Sequence, residues 1–329
     1  MPDRTAPDNT RTAIRLAFFY AAVFAMIGIN VPFWPVWLAA KGLGPADIGV
    51  IIAASLGVKS PLGDIHIENV RASAEPAECG PGDVVIVAVK LYDTEAAAEA
   101  IEPLVGPDTC VISFQNGVLA GDTFSAAYGR ERVIGGSVSI AARIEAPGVI
   151  LHTGAMALLA FGEWDGSRSA RTEALLEWCG KAGIDVTLSD NIEALIWSKF
   201  VFLAAFSGIT CMFQEPMGPI REDQDKRNLF RRALEETATV ARAKGVALPD
   251  DIAAHRMDFA DGLPAEMYSS MYHDLMAGKR LELNWLSGAV VDMGRELGVE
   301  TPAHAGFVEA LASFAEGNPG GNSGRNPGH

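Results

Sequence analysis

The sequence predicts an α/β protein: a parallel β-sheet followed by an all-helical region and preceded by a transmembrane-like helical segment. Three observations predict this order. Residues 16–40 carry no charged side chain, and a stretch of that length can span a membrane. Between residues 60 and 188, short apolar runs alternate with helical patterns, as in a parallel sheet that is buried on both faces. From residue 189 to residue 316 the apolar spacing is almost wholly helical.

The composition excludes several classes of function. The chain has 329 residues, a formal net charge of −15 and a pI near 4.8, whereas a nucleic-acid partner requires a basic face. The four cysteines are widely spaced without a CxxC pair, which is typical of reduced thiols, and the six histidines form no HExxH motif. We therefore expect no nucleic-acid partner and no metal site.

The first segment, residues 1–59, contains two apolar runs. Residues 16–40 carry one tyrosine and two tryptophans toward the ends of the run, where aromatic residues of membrane helices lie. We predict a membrane helix here; the alternatives are a helix packed on another subunit and a disordered arm. Residues 48–58 are predicted to start a second helix, so that membrane contact would extend over residues 16–58.

The sheet is predicted from apolar runs that end at turns. Lys90 and Asn116 follow two of these runs directly, and ligands of parallel sheets bind at the carboxyl ends of the strands. A hairpin is predicted from residues 148–152 and 155–161. The other predicted strands cover residues 65–70, 83–90, 109–114, 133–140 and 184–188.

A helix is predicted over residues 191–213, with Lys199 at the start of its apolar part. The apolar run falls short of the roughly 20 residues that cross a bilayer, so we interpret it as a buried core helix. Burial lowers the pKa of a lysine, which suits a general acid near neutral pH. The alternative is a lysine whose ammonium group reaches the surface along an apolar helix.

Four short motifs occur in order between residues 60 and 315: DVVIVAVK, SFQNG, IWSKF and SSMYHDLMAGKRLE. Together they resemble ketopantoate reductase (2-dehydropantoate 2-reductase). The resemblance implies a truncated Rossmann-type cofactor domain over residues 60–188 and a helical substrate-binding and catalytic domain over 189–316. It also implies a cytoplasmic, NADP-dependent oxidoreductase of pantothenate biosynthesis that reduces a small 2-keto acid, 2-dehydropantoate, to pantoate. The composition of residues 317–329, rich in glycine and asparagine, predicts a disordered tail.

The resemblance assigns roles to five residues at these motifs. Lys199 matches the catalytic lysine that gives a proton to the keto oxygen, and Glu282 matches the acid that holds this lysine and the substrate hydroxyl. Ser270 and Asn116 match substrate-binding residues. Lys90 and Asn116 match cofactor-binding residues.

Two features of the helical region bear on these roles. Ser270 and Glu282 lie about 120° apart on one unbroken helix, so they converge only if the helix breaks, and Gly278 is the expected place. Without the resemblance, both would be interpreted as surface residues. Many family members carry asparagines four and eight residues after the lysine; Leu203 and Ser207 occupy these positions here, which predicts a less polar pocket.

The beginning of the chain departs from the family. The family opens with a strand and a GxGxxG turn that cradles the cofactor pyrophosphate, and this sequence contains no GxGxxG. Instead, residues 14–58 resemble the opening of a major facilitator superfamily transporter, as in a fusion joined near residues 54–60. We therefore expect impaired NADP(H) binding. The alternative function is a non-catalytic fusion remnant, anchored to a membrane through residues 16–40.

Overall fold

The computed structural model describes residues 51–73, 75–146 and 148–318. The predicted membrane helix over residues 16–40 and most of the predicted tail lie outside them. The chain divides into two compact units, Met1–Ile192 and Glu193–His329. Each unit has its own architecture and is described separately.

The described part of the first unit is a seven-stranded sheet with three α-helices. The strands are β1 (Ile51–Lys59), β2 (Ile65–Ala72), β3 (Val84–Val87), β4 (Cys110–Ser113), β5 (Val133–Ala146), β6 (Val149–Gly162) and β7 (Val186–Leu188). The helices are α1 (Thr94–Ala100), α2 (Ala120–Tyr128) and α3 (Ala170–Lys181).

The sheet is mixed, so the prediction of a parallel sheet is only partly right. Its strand order is β2-β1-β6-β5-β4-β3, and β7 pairs with β6. The β3–β4, β4–β5, β1–β6 and β6–β7 pairs are parallel. The β1–β2 and β5–β6 pairs are antiparallel, because only a few residues connect their strands, and so short a connection cannot return the chain for parallel pairing.

The predicted helix over residues 48–58 is wrong, since Ile51–Lys59 forms β1. This strand lies between β2 and β6, and Val58 is 1% exposed there. A short, uncharged apolar run does not distinguish a buried strand from a buried helix by its spacing. Pairing with strands on both sides decides between them.

The predicted hairpin of residues 148–152 and 155–161 is also wrong. Both runs belong to β6, which pairs along its length with β5. The glycine between them, Gly154, has a φ of +77° but forms a bulge instead of a turn. His152 pairs with Ala142 and Ala157 pairs with Ile140, so four residues of β6 lie opposite a single residue of β5.

The sheet is covered on both faces. Side chains that alternate along β4 point to opposite sides, and α3 contributes Leu175 and Cys179 to one cluster while α1 and α2 contribute Ala98 and Phe124 to the other. This burial explains why β3 and β4 are continuous apolar runs in the sequence.

The second unit is helical, as predicted. Its helices are α4 (Ile192–Phe213), α5 (Met217–Glu222), α6 (Gln224–Ala243), α7 (Ile252–Asp261), α8 (Ser270–Met276), α9 (Ser287–Leu297) and α10 (Pro302–Leu311). α4 is, within the described residues, the one helix long and apolar enough to cross a membrane, and 61% of its most apolar window is buried inside the protein. At 22 residues, α4 is longer than the apolar run seen in the sequence, so its length does not argue against a membrane span. The core-helix interpretation is supported by its burial inside the protein.

Candidate functional site

Lys199 lies two turns into α4 and is partly buried. Loss of hydration lowers the pKa of its ammonium group to about 8, and the negative charge of Glu282 opposes this shift. Glu282 itself is only 2% exposed. The structure thus brings together two groups that are 83 positions apart in the sequence, and the charge of Glu282 acts on Lys199.

The break predicted at Gly278 makes this contact possible. α8 ends at Met276, and Gly278 adopts a left-handed conformation with a φ of +65°, which glycine reaches without steric cost. The chain then turns and reaches Glu282, which precedes a short 3₁₀ turn over Leu283–Trp285. The acid is therefore placed by irregular backbone rather than by a helix.

Ser270 is the first residue of α8 and is partly buried. The preceding Ser269 caps the helix by accepting a hydrogen bond from the Tyr272 N–H, with N and O 3.1 Å apart. The Ser269 hydroxyl also lies 2.8 Å from the hydroxyl of Thr210 on α4. This buried pair fixes the start of α8, and with it Ser270, against the helix that carries Lys199. Sequence reasoning missed Ser269 and Thr210, although a serine before a helix start is a recognisable cap signal.

Leu203 and Ser207 follow Lys199 on α4 at the two positions from which a less polar pocket is predicted. Leu203 is partly buried. Ser207 is fully buried, and its hydroxyl has no hydrogen-bond partner among the described residues. An unpaired buried hydroxyl costs about 1–3 kcal/mol.

Lys90 and Asn116 lie in the first unit, just beyond the carboxyl ends of the neighbouring parallel strands β3 and β4. Both are buried, at 2% and 5% exposure. Gln115 links the two strand ends, because its side-chain amide donates to the Val89 carbonyl at 3.0 Å and to Thr94 Oγ1 at 2.9 Å. Gln115 was not singled out from the sequence, although it stands inside the SFQNG motif.

The described residues of the first unit provide only part of a dinucleotide-binding site. Buried polar groups are present where the strands end, but no strand-to-helix turn in the described residues carries GxGxxG. The helix that follows β3 has Asp93 as its N-cap residue and Glu95 in its first turn, which disfavours a phosphate at that N-terminus. The described residues also contain no group of three or more His, Cys, Asp or Glu side chains placed to hold a metal ion.

Comparison with protein families finds three matches. The family described as "Ketopantoate reductase PanE/ApbA" matches residues 50–166, and "Ketopantoate reductase PanE/ApbA C terminal" matches residues 191–315. The "MFS_1 like family" matches residues 13–59. The first and third matches overlap at residues 50–59, and the structure places nearly all of that overlap in β1, inside the sheet.

Individual relatives agree with the first two matches. An uncharacterized oxidoreductase of Bacillus subtilis, YkpB, is 34% identical over 72% of this chain and 80% of its own length. A 2-dehydropantoate 2-reductase of Mesorhizobium japonicum is 31% identical over 73% of this chain and 79% of its own length. The crystal structure of a PanE/ApbA family ketopantoate reductase from Ralstonia eutropha superposes with a TM-score of 0.72 at 30% identity, covering 79% of this chain and 84% of that chain.

Proposed function

The chain belongs to the ketopantoate reductase PanE/ApbA family, and we propose from this that it catalyses the NADPH-dependent reduction of a 2-keto acid, 2-dehydropantoate, to the 2-hydroxy acid. The observation that carries the proposal is the Lys199–Glu282 pair. A lysine with a pKa of about 8 beside a buried carboxylate is an acid suited to neutral pH.

Lys199 would act at the keto oxygen. Reduced NADP, when bound, supplies the hydride. As the carbonyl accepts it, negative charge develops on oxygen, and a partly desolvated ammonium group stabilises this charge more than water does. Lys199 Nζ then gives up its proton to that oxygen. The charge of Glu282 keeps the lysine pKa from falling further, so that the amine is still largely protonated at pH 7.

The remaining family roles are part of the same proposal. Ser270 and Asn116 are proposed to bind the keto acid, and Lys90 and Asn116 to bind the nicotinamide end of the cofactor. In support, Lys90 and Asn116 are buried polar residues at strand ends, where ligands of α/β sheets bind.

We further propose that cofactor binding is severely impaired. Helix N-terminal N–H groups of a glycine-rich turn normally hold the pyrophosphate, and this chain has no such turn. Loss of several charge-assisted hydrogen bonds, each worth about 1.5–3 kcal/mol, lowers affinity by orders of magnitude.

The test is titration of the purified chain with NADPH, followed by nicotinamide fluorescence. We expect weak binding that saturates only in the millimolar range; a micromolar Kd would contradict the proposal of impairment, and no binding even at millimolar cofactor would favour the non-catalytic alternative below. Turnover of 2-dehydropantoate is measured in parallel on the parent chain, Lys199→Ala and Lys181→Ala, an exposed lysine of α3. Turnover that Lys199→Ala abolishes and Lys181→Ala preserves would establish the reductase.

A second candidate function is a non-catalytic, membrane-tethered remnant. It is favoured by the transporter-like match over residues 13–59 in the place where the family has its phosphate-binding turn. Under this alternative the chain keeps the Lys199–Glu282 pair but neither binds NADPH nor turns over the keto acid.

A further inference from the structure

A serine and a histidine in the first unit form a hydrogen-bonded pair that the reductase proposal does not use. Ser60 directly follows β1, and His152 lies on β6. The parallel register pairs Lys59 with Leu151, so the next residue of each strand, Ser60 and His152, come side by side. Ser60 Oγ lies 2.9 Å from His152 Nδ1.

The second ring nitrogen of His152 decides the direction of this hydrogen bond. Nε2 lies 3.0 Å from the backbone carbonyl oxygen of Met156, across the bulge that Gly154 creates in β6. A carbonyl oxygen only accepts hydrogen bonds, so Nε2 carries the proton and Nδ1 of the neutral ring is the acceptor. The Ser60 hydroxyl therefore donates to Nδ1. This is the arrangement in which an imidazole, oriented by a third group, withdraws a proton from a nucleophile.

The turn after β1 holds Ser60 in place. Its N–H donates to Asp64 Oδ1 at 2.9 Å, and its carbonyl accepts from the Gly63 N–H at 2.9 Å. The Leu62 N–H donates to Ser60 Oγ at 3.0 Å. This hydrogen bond orients the Ser60 hydroxyl, because the backbone N–H contacts the attacking oxygen itself.

Ser60 lines a cavity of about 230 Å³. This is below the roughly 300–1,000 Å³ of pockets for drug-sized ligands, so it suits a short acyl chain. Aliphatic residues such as Ile65, Val138 and Ile184 form most of its wall, and the acids Asp64 and Asp185 also line it. An apolar wall with two acids favours a neutral ester over an anionic one.

We propose that Ser60 and His152 form an acyl-transfer site for short, uncharged esters. Ser60 Oγ attacks the ester carbonyl carbon while its proton passes to His152 Nδ1. The bond to the alcohol oxygen breaks, and the imidazolium returns the proton to the departing alcohol. Water, deprotonated by the same nitrogen, then cleaves the acyl-serine, so that ester and water give acid and alcohol. The Leu62 N–H is bonded to the attacking oxygen and not to the ester carbonyl oxygen, so we expect a weak esterase, because a donor to the oxyanion is worth about 10²–10³ in rate.

The test uses the purified full chain carrying Cys79→Ser, because the exposed Cys79 thiol would react with the same ester. Hydrolysis of p-nitrophenyl butyrate is followed as nitrophenolate release, and the protein is treated with a fluorophosphonate and mapped by peptide mass spectrometry. We expect hydrolysis above the buffer rate and a single adduct on Ser60. Ser60→Ala and His152→Gln should each lower the protein-dependent rate at least tenfold.

Matched controls are Ser167→Ala and His66→Gln, which change an exposed serine and an exposed histidine of the same unit and should leave rate and adduct unchanged. An adduct on another residue, no adduct on Ser60, or an undiminished rate in Ser60→Ala would overturn the proposal. Adduct mapping on the unsubstituted serine decides the matter even where Ser60→Ala fails to fold. NADPH is absent throughout, so the result is independent of the reductase proposal.

Discussion

Lys199 shows how two opposing effects set the chemistry of one residue. Desolvation lowers its pKa, and the charge of Glu282 raises it. With desolvation alone the amine would be less protonated at pH 7, and with the carboxylate alone it would be a weak acid with a pKa above its ordinary value. The balance at about 8 leaves a protonated group that still releases its proton readily.

Replacing Glu282 should shift this balance in a known direction. In Glu282→Gln we expect the pKa of Lys199 to fall below about 8, because the attractive charge is lost while the desolvation remains. The measurement is a pH titration of the ¹³Cε resonance of Lys199 in lysine-labelled protein. Glu309→Gln, an exposed acid of α10, should leave the pKa unchanged. A pKa of Lys199 that stays or rises in Glu282→Gln would show that the carboxylate does not act on this lysine.

The sequence predicted the position of Lys199 but not its environment. An isolated cation at the start of an apolar run is visible in the sequence, and so is Gly278. That Glu282 reaches Lys199 depends on the path of the chain after Gly278, which spacing does not encode. Only the family resemblance paired the two residues.

At the scale of elements, one close contact joins α4 to α10. Gly208 of α4 is in close contact with the ring of Phe307 on α10, where an added Cβ would overlap the ring. Phe307 is fully buried, so the ring has little room to move. The glycine is therefore required by packing and not by backbone conformation.

Gly208→Ala should consequently lower the free energy of unfolding by about 1–3 kcal/mol, the usual cost of overpacking a core. Gly306→Ala is the matched control, because Gly306 lies within α10 and an added Cβ there meets no atom within 4 Å. Alanine is the better helix former, so this variant should gain up to about 1 kcal/mol. Denaturant unfolding of both variants measures the difference. Equal effects would mean that α4 and α10 are not closely packed at Gly208.

His304, on α10, makes the free energy of unfolding depend on pH. It is fully buried, its pKa is lowered to about 4 by burial, and its Nε2 lies 2.8 Å from Thr237 Oγ1 on α6. The unfolded histidine takes up a proton near pH 6.5, while the folded one resists until about pH 4. The contribution of His304 to the free energy of unfolding is therefore fully present above pH 6.5. It is lost as the pH falls toward 4, by roughly 3 kcal/mol in all.

His304→Gln should remove this part of the pH dependence. The variant is expected to be less stable than the parent at pH 7, because buried hydrogen bonds change, and to lose less stability between pH 6.5 and 4. Burial raises the pKa of Glu236, which acts in the opposite direction in both proteins and cancels in the comparison. Chemical denaturation at four or more pH values gives the slope of unfolding free energy against pH for each protein. Equal slopes between pH 4 and 6.5 would exclude His304 as the source of the pH dependence.

The elements also show where sequence patterns succeed and fail. β3 and β4 were predicted because sheets buried on both faces give continuous apolar runs. The apolar run of β1 predicts a helix by its spacing, whereas pairing with β2 and β6 makes it a strand, and β6 lies about 90 residues farther along. The sequence predicts two strands in place of β6, because a glycine such as Gly154 is typical of a turn. In the structure the positive φ of Gly154 belongs to a bulge within one strand.

At the scale of the whole molecule, the reductase family and the MFS_1 like family match adjoining parts of the chain. The family match starts at residue 50, and the described sheet starts at Ile51 with β1. The two family matches therefore meet in β1, which is paired on both sides within the sheet.

The uncharged residues 16–40 give the last prediction. If they insert in a membrane, the full chain should remain in the pellet after alkaline extraction of membranes from expressing cells. Changing Ala25→Lys together with Gly28→Lys, near the middle of this run, should release it, because each central lysine costs about 2.5–3.5 kcal/mol of insertion energy. Thr5→Lys with Ala6→Lys adds the same charge outside the run and should leave the protein in the pellet. A parent chain found in the soluble fraction would contradict the membrane tether and leave impaired cofactor binding as the sole expected consequence of the transporter-like segment.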